Sequence, residues 1–174
     1  MKKLLLPSML CLLVLTSFRN AETMTPVEYN DAIIGEQTKI TKAMIEMANY
    51  FAPDIEKSEL LRKELVKQCD ASIAALKKLP AYEGDTKFRD AGVNLFQFYK
   101  EISAKEYKEM IDILRKENIQ TSDIDRLTVL EEQISKREQP LDEAFQKAQE
   151  AFAKKHNLSL YENEVQDKID QLGK

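Results

Sequence analysis

Between Thr25 and Pro53, Ile33, Ile40 and Met47 recur every seven residues, and Asn30, Gln37, Met44 and Phe51 form the row beside them. That spacing predicts one long helix with a buried stripe. Its ends are written locally. Thr25 can cap the first turn, Pro26 suits a first helical position that needs no N–H, and Glu28 completes a T-x-x-E capping box. Pro53 stops it. The stripe is apolar in its C-terminal half and carries two amides in its N-terminal half.

A second helix is predicted from Asp54 to Lys78, with Ile55, Leu61, Leu65, Cys69, Ile73 and Leu76 on one face and a surface pair between Glu59 and Lys63. Pro80 and Gly84 then punctuate a break. The third helix, capped by Asp85 or Thr86, carries an aromatic face from Phe88 to Leu114 and either breaks near Ser103 or runs on to Glu117. The fourth, capped by Ser122 or Asp123, holds Leu127, Ile134, Leu141 and Ala148 seven apart, flanked by Leu130, Phe145 and Phe152. Pro140 lies inside it, but the repeat keeps its phase across the proline, so a kinked helix is predicted rather than two helices with a loop. Asn157 ends it. Ser159 to Lys174 is predicted to be a short, weakly docked helix or tail built on Tyr161, Val165, Ile169 and Leu172. No strand alternation and no repeat of solenoid length is present. The expected fold is an all-α, up-down-up-down four-helix bundle over residues 22–158.

The N-terminus changes the setting. Lys2 and Lys3 precede an apolar run from Leu4 to Leu15, the pattern of an export signal and too short to span a bilayer. Cleavage after Ala21, or alternatively after Ser17, is expected. Loss of residues 1–21 removes Lys2, Lys3 and Arg19 and no acid, so the formal charge falls from −4 to −7 and 174 residues become 153. The product is expected in the periplasm, at the cell surface or secreted, with no integral membrane segment in the mature chain. An acidic domain of this kind lacks the basic patch that nucleic acid or anionic lipid requires. Cys11 leaves with the signal, so Cys69 has no intrachain partner and reads as a small buried hydrophobe.

Candidate chemistry is sparse. The single histidine, His156, excludes a di-iron bundle site of the Glu-x-x-His type and any conventional triad, and reads as a solvated residue at a helix end. No haem motif, zinc cysteine pair, calcium loop or phosphate-cradling glycine loop is present, so no cofactor, no metal and no enzymatic activity are expected. What rises above background is Asn30 and Gln37 on the buried stripe. They read as a polar layer that sets helix register, or as one wall of a small pocket to which Tyr29 or Tyr99 contributes a hydroxyl. Gly35 and Gly92, each inside a helix, predict close helix approach. Phe96-Gln97-Phe98-Tyr99 reads as core with one ring reaching the surface.

Three stretches carry a resemblance: Y-N-D-A-I-I-G-E-Q from Tyr29, Y-E-G-D from Tyr82 with N-L-F-Q-F-Y-K-E-I from Asn94, and L-D-E-A-F-Q-K-A-Q-E-A-F-A-K-K from Leu141. With the export signal they resemble a family of small secreted or surface-exposed bacterial proteins of spirochaetes and bacteroidetes that has no assigned activity. The resemblance implies an envelope or surface location and supplies no mechanism. These features together imply an exported, non-enzymatic bundle that works by contact with another molecule, an unknown protein or a small amphipathic ligand, at the envelope or cell surface. The alternative is a periplasmic carrier of a small apolar or amphipathic ligand between its helices.

Overall fold

The computed structural model describes residues 24–160. The export signal expected over residues 1–21, and all of the C-terminal segment after Leu160, lie outside them. Five helices fill the described chain: α1 (Pro26–Ala48), α2 (Ile55–Lys78), α3 (Lys87–Ala104), α4 (Glu106–Leu114) and α5 (Thr121–Lys155). The chain is all-α, as the periodicity predicts, and the third predicted helix is divided into α3 and α4.

Side-chain contacts give the helix directions. Tyr29 near the start of α1 reaches Pro80 after the end of α2, while Ser58 near the start of α2 reaches Met47 near the end of α1. Arg62 of α2 reaches Ser103 at the end of α3, and Tyr99 of α3 reaches Glu138 of α5. Phe88, at the start of α3, packs on Phe152 near the end of α5. Successive long helices therefore run antiparallel, and the starts of α1 and α3 meet the ends of α2 and α5 at one end of the bundle.

At α1 the capping box forms as predicted: the Glu28 carboxylate accepts from the Thr25 N–H at 2.8 Å, and Thr25 Oγ1 accepts from the Glu28 N–H at 3.2 Å. The helix stops at Ala48, a turn before Pro53. Tyr50 and Phe51 donate to carbonyls three residues back, tightening the chain before the proline whose ring would clash with a continuing helix. Tyr29 joins Ile33, Ile40 and Met47 in the buried row, and Asn30, Gln37, Met44 and Phe51 are half-buried beside it.

On α2 the buried face includes Ser58, Glu59, Arg62 and Ser72 with Leu65, Cys69, Ile73 and Leu76, whereas Leu61 is only half-buried. Glu59 does pair with Lys63, at 3.2 Å, but it is 8 % exposed and its main partner is Arg62. Arg62 donates to both Glu59 oxygens at 2.6 and 2.9 Å and to the Ser103 carbonyl at 2.8 Å. That last bond satisfies a helix-end carbonyl beside the α3–α4 break at Lys105. The Cys69 thiol is fully buried, and burial pushes its pKa up to about 12, which leaves it unreactive.

Gly92 performs the predicted close approach. A methyl group there would meet Leu76 Cδ1 at 2.8 Å and Phe145 Cε2 at 3.2 Å. Gly35 does not, since nothing lies within 4 Å of the corresponding point. Gly35→Ala is therefore expected to raise stability by about 0.5–1 kcal/mol, the helix-propensity difference, in a urea melt.

Phe96, Phe98 and Tyr99 are all buried, so no ring of that run reaches the surface, and only Gln97 is exposed. The cap of α5 is Gln120, two residues before the first predicted cap, because Asp123 sits one turn in and accepts from the Gln120 N–H at 3.0 Å and from Lys116 at 2.6 Å. The helix continues through Pro140 to Lys155, and Leu130, Ile134, Phe145 and Phe152 form its buried row. Asn157 follows with a φ of 54°.

Candidate functional site

The end where α1 and α3 begin is packed with rings. Tyr29 comes from the first turn of α1, Tyr82 from the α2–α3 connection and Phe88 from the first turn of α3. Phe145 and Phe152 lie seven residues apart on one face of α5. Ring centroids are 5.0 Å apart for Tyr29–Tyr82, 5.4 Å for Tyr29–Phe152, 5.3 Å for Tyr82–Phe152 and 5.4 Å for Phe88–Phe145. These are offset and edge-on separations that add to the burial of each ring. Both hydroxyls are committed to the fold: Tyr29 donates to the Pro80 carbonyl at 3.1 Å and Tyr82 to the Met24 carbonyl at 3.2 Å. Burial raises the Tyr29 pKa above the ordinary phenol value. The connection that carries Tyr82 folds back on itself through paired backbone bonds to Asp85, with Glu83 and Gly84 at φ of 47° and 81°.

His156 belongs to this cluster and not to the solvent. Its side chain is 7 % exposed, its ring lies 4.6 Å from Phe152 and 5.0 Å from Tyr82, and its Nδ1 is 4.0 Å from Glu83. Nε2 is buried without a hydrogen-bond partner. The reading as a solvated helix-end residue fails because the imidazole packs edge-on against Tyr82 and tilted against Phe152, which a helix-end position in the sequence does not reveal.

Beside the rings lies an open cleft of about 350 Å³ between α1, the start of α3 and the end of α5. Tyr29, Phe88, Ala148, Ala151 and Phe152 supply its apolar surface, and Asp85, Lys87, Lys147 and Lys155 its charges. Lys147 pairs with Glu143 at 3.3 Å and Lys155 with Glu83 at 3.6 Å, both at exposed positions. Such pairs contribute little and exchange readily. Asp85 is turned to the start of α3, where its Oδ1 accepts from the Lys87 N–H at 2.9 Å.

Of the four residues singled out from the sequence, Tyr29 alone lines this cleft, and it does so with its ring, the hydroxyl being bound elsewhere. Asn30, one residue on, joins α1 to α5 by accepting from Gln149 Nε2 at 3.1 Å. Gln37 lies two turns away on the same row, half-buried. Tyr99 sits further along α3, donating to Glu138 Oε1 at 2.9 Å. There burial raises the pKa of both groups, while the hydrogen bond from Tyr99 pulls the Glu138 carboxyl back. The four do not share one hydrogen-bond network. Asn30→Leu is expected to cost about 1 kcal/mol through the lost bond to Gln149. Gln37→Leu is expected to be neutral or stabilising, because no such bond is broken. Thermal melts of the two single variants check this, and equal losses would show that Gln37 holds a partner too.

Among the described residues no group of three or more His, Cys, Asp or Glu side chains is placed to hold a metal ion, and no helix is long and apolar enough to cross a membrane. Comparison of the chain with protein-family models, curated proteins and solved structures returns no match in any of the three.

Proposed function

We propose that this chain is an exported, non-enzymatic helical bundle that works by contact with a partner protein at the bacterial envelope or cell surface, through the cleft at its aromatic end. The cleft itself carries the reading: rigid rings and two alanines form an apolar floor, open to solvent and edged by three lysines. Small-molecule sites depend on a few fixed polar groups that orient the ligand. Here the one hydroxyl on the floor is bound to Pro80, and the lysines are flexible point charges. That arrangement suits a segment of another protein, which brings its own backbone geometry.

A photo-cross-linking residue at Ala151 on intact host cells tests this. One defined adduct is expected, absent when the cross-linker stands instead at the exposed Asn94 of α3. The carrier reading is favoured by one observation, that the cleft reaches the lower end of ligand-site volumes. Native mass spectrometry of the host-purified chain separates the two. A releasable small mass, with no adduct at Ala151, would replace the contact role by the carrier.

A further inference from the structure

We infer that the partner presents to this cleft an acidic extended segment, with an aromatic or aliphatic anchor set between two carboxylates in the order acid-x-anchor-x-acid; this rests on the contact role proposed above. The whole chain carries a formal charge of −4, yet three of the four charged residues at the cleft are lysines. The exception, Asp85, is committed to the backbone of Lys87, and the exposed pairs of Lys147 with Glu143 and of Lys155 with Glu83 are ones that incoming acids displace at little cost. An apolar floor with cationic edges on an otherwise acidic protein complements an apolar group flanked by acids.

The spacing follows from the helix. Lys147 and Lys155 are eight residues apart on α5, about 12 Å at 1.5 Å per residue, and Ala148, Ala151 and Phe152 lie between them. An extended chain rises about 3.3 Å per residue, so residues four apart match that distance. Alternate residues of an extended segment face the same side, so an anchor midway between the two acids enters the cleft together with them. Lys87, on the opposite wall, adds a third cation near the anchor. No fixed donor pair is available to grip one carboxylate in both directions, so affinity is divided between insertion of the anchor and two loose ion pairs.

The test uses the full chain, isotopically labelled, and a blocked heptapeptide Gly-Asp-Ser-Phe-Ser-Asp-Gly at low salt. The backbone amide signals of Phe88, Ala148 and Ala151 are expected to move. Replacing both Asp of the peptide by Asn is expected to weaken binding about fivefold, the worth of two exposed ion pairs. The same loss is expected from Lys147→Gln with Lys155→Gln, two surface changes whose melting temperature confirms the fold. Replacing the peptide Phe by Ser should abolish the shifts. Equal binding by the Asn peptide overturns the acidic segment, and so does silence at these amides. Shifts that grow with protein concentration alone would assign the cleft to a second copy and overturn it too. Octanoate moving the same signals at a tenth of the peptide concentration would overturn both this inference and the contact role. A failed peptide alongside a successful Ala151 adduct rejects the inference alone.

Discussion

Arg62→Ala is expected to cost about 3–5 kcal/mol in a urea melt, the usual range when one partner of a buried ion pair is removed. Arg62 is 7 % exposed and holds two groups at once, the Glu59 carboxylate and the Ser103 carbonyl. Alanine leaves Glu59 buried with only Lys63, whose side chain is largely exposed. Lys63→Ala, which touches the same carboxylate, is expected to change stability by less than about 1 kcal/mol. Replacing Glu59 and Arg62 together by leucine should recover part of the loss, since no unpaired charge is then buried, while the Ser103 carbonyl still lacks its donor. The pair also writes a pH dependence. The hydrogen bond from Arg62, against the opposing effect of burial, brings the Glu59 pKa from 4.5 down to about 2. Because the folded value is the lower one, this contribution is complete above the ordinary carboxylate range and is lost as pH falls toward 2. Melting temperatures of the parent should therefore drop between about pH 5 and pH 2 more steeply than those of Arg62→Ala. Equal slopes would mean that Glu59 draws its stabilisation elsewhere.

The same pair marks the limit of what the sequence discloses. The start of α1 was legible in full, because Thr25, Pro26 and Glu28 act on one another within a single turn. The buried row of α1 was legible too, since a repeat at helical spacing reports burial directly, whereas on α5 Leu127, Leu141 and Ala148 of the predicted row are half-buried and the flanking Leu130, Phe145 and Phe152 are buried with Ile134. The face of α2 was not. Glu59 and Arg62 are buried because the chain breaks at Lys105, more than forty residues on, and Arg62 is needed for the carbonyl exposed there. Periodicity counts charged residues as outward and has no access to that demand. At the candidate site, Tyr29 was found through its position beside Asn30, but for its hydroxyl and not for the ring that the cleft uses. Phe88, Phe145 and Phe152 were visible only as core. Their convergence with Tyr82 and His156 depends on the starts of α1 and α3 meeting the end of α5, which no local pattern encodes. The lysines were lost among 26 cationic residues, since nothing in the sequence separates Lys87, Lys147 and Lys155 from the rest.

Phe152→Ala is expected to have an effect as large as that of Arg62→Ala, about 3–5 kcal/mol, for a different reason. The ring is 8 % exposed and contacts Tyr29, Tyr82, Phe88 and His156, so its removal opens a void bounded by four rings held by three separate segments. The rings cannot all close on it, because Tyr29 and Tyr82 are tethered through their hydroxyls to Pro80 and Met24. Leucine fills most of the volume and should limit the loss to about 1–2 kcal/mol, the remainder being the aromatic contacts. Urea melts of the two variants give the comparison. Phe152 is also the residue that the void and the cleft share, so the peptide titration has a second reading. In Phe152→Leu the fold is kept and the lysines are untouched, yet the floor loses its flat face, and the Phe peptide should bind more weakly while its dependence on salt stays the same. A loss under about 1 kcal/mol for Phe152→Ala would mean that the rings repack freely. The floor of the cleft would then be soft, and the spacing of Lys147 and Lys155 would no longer define what fits between them.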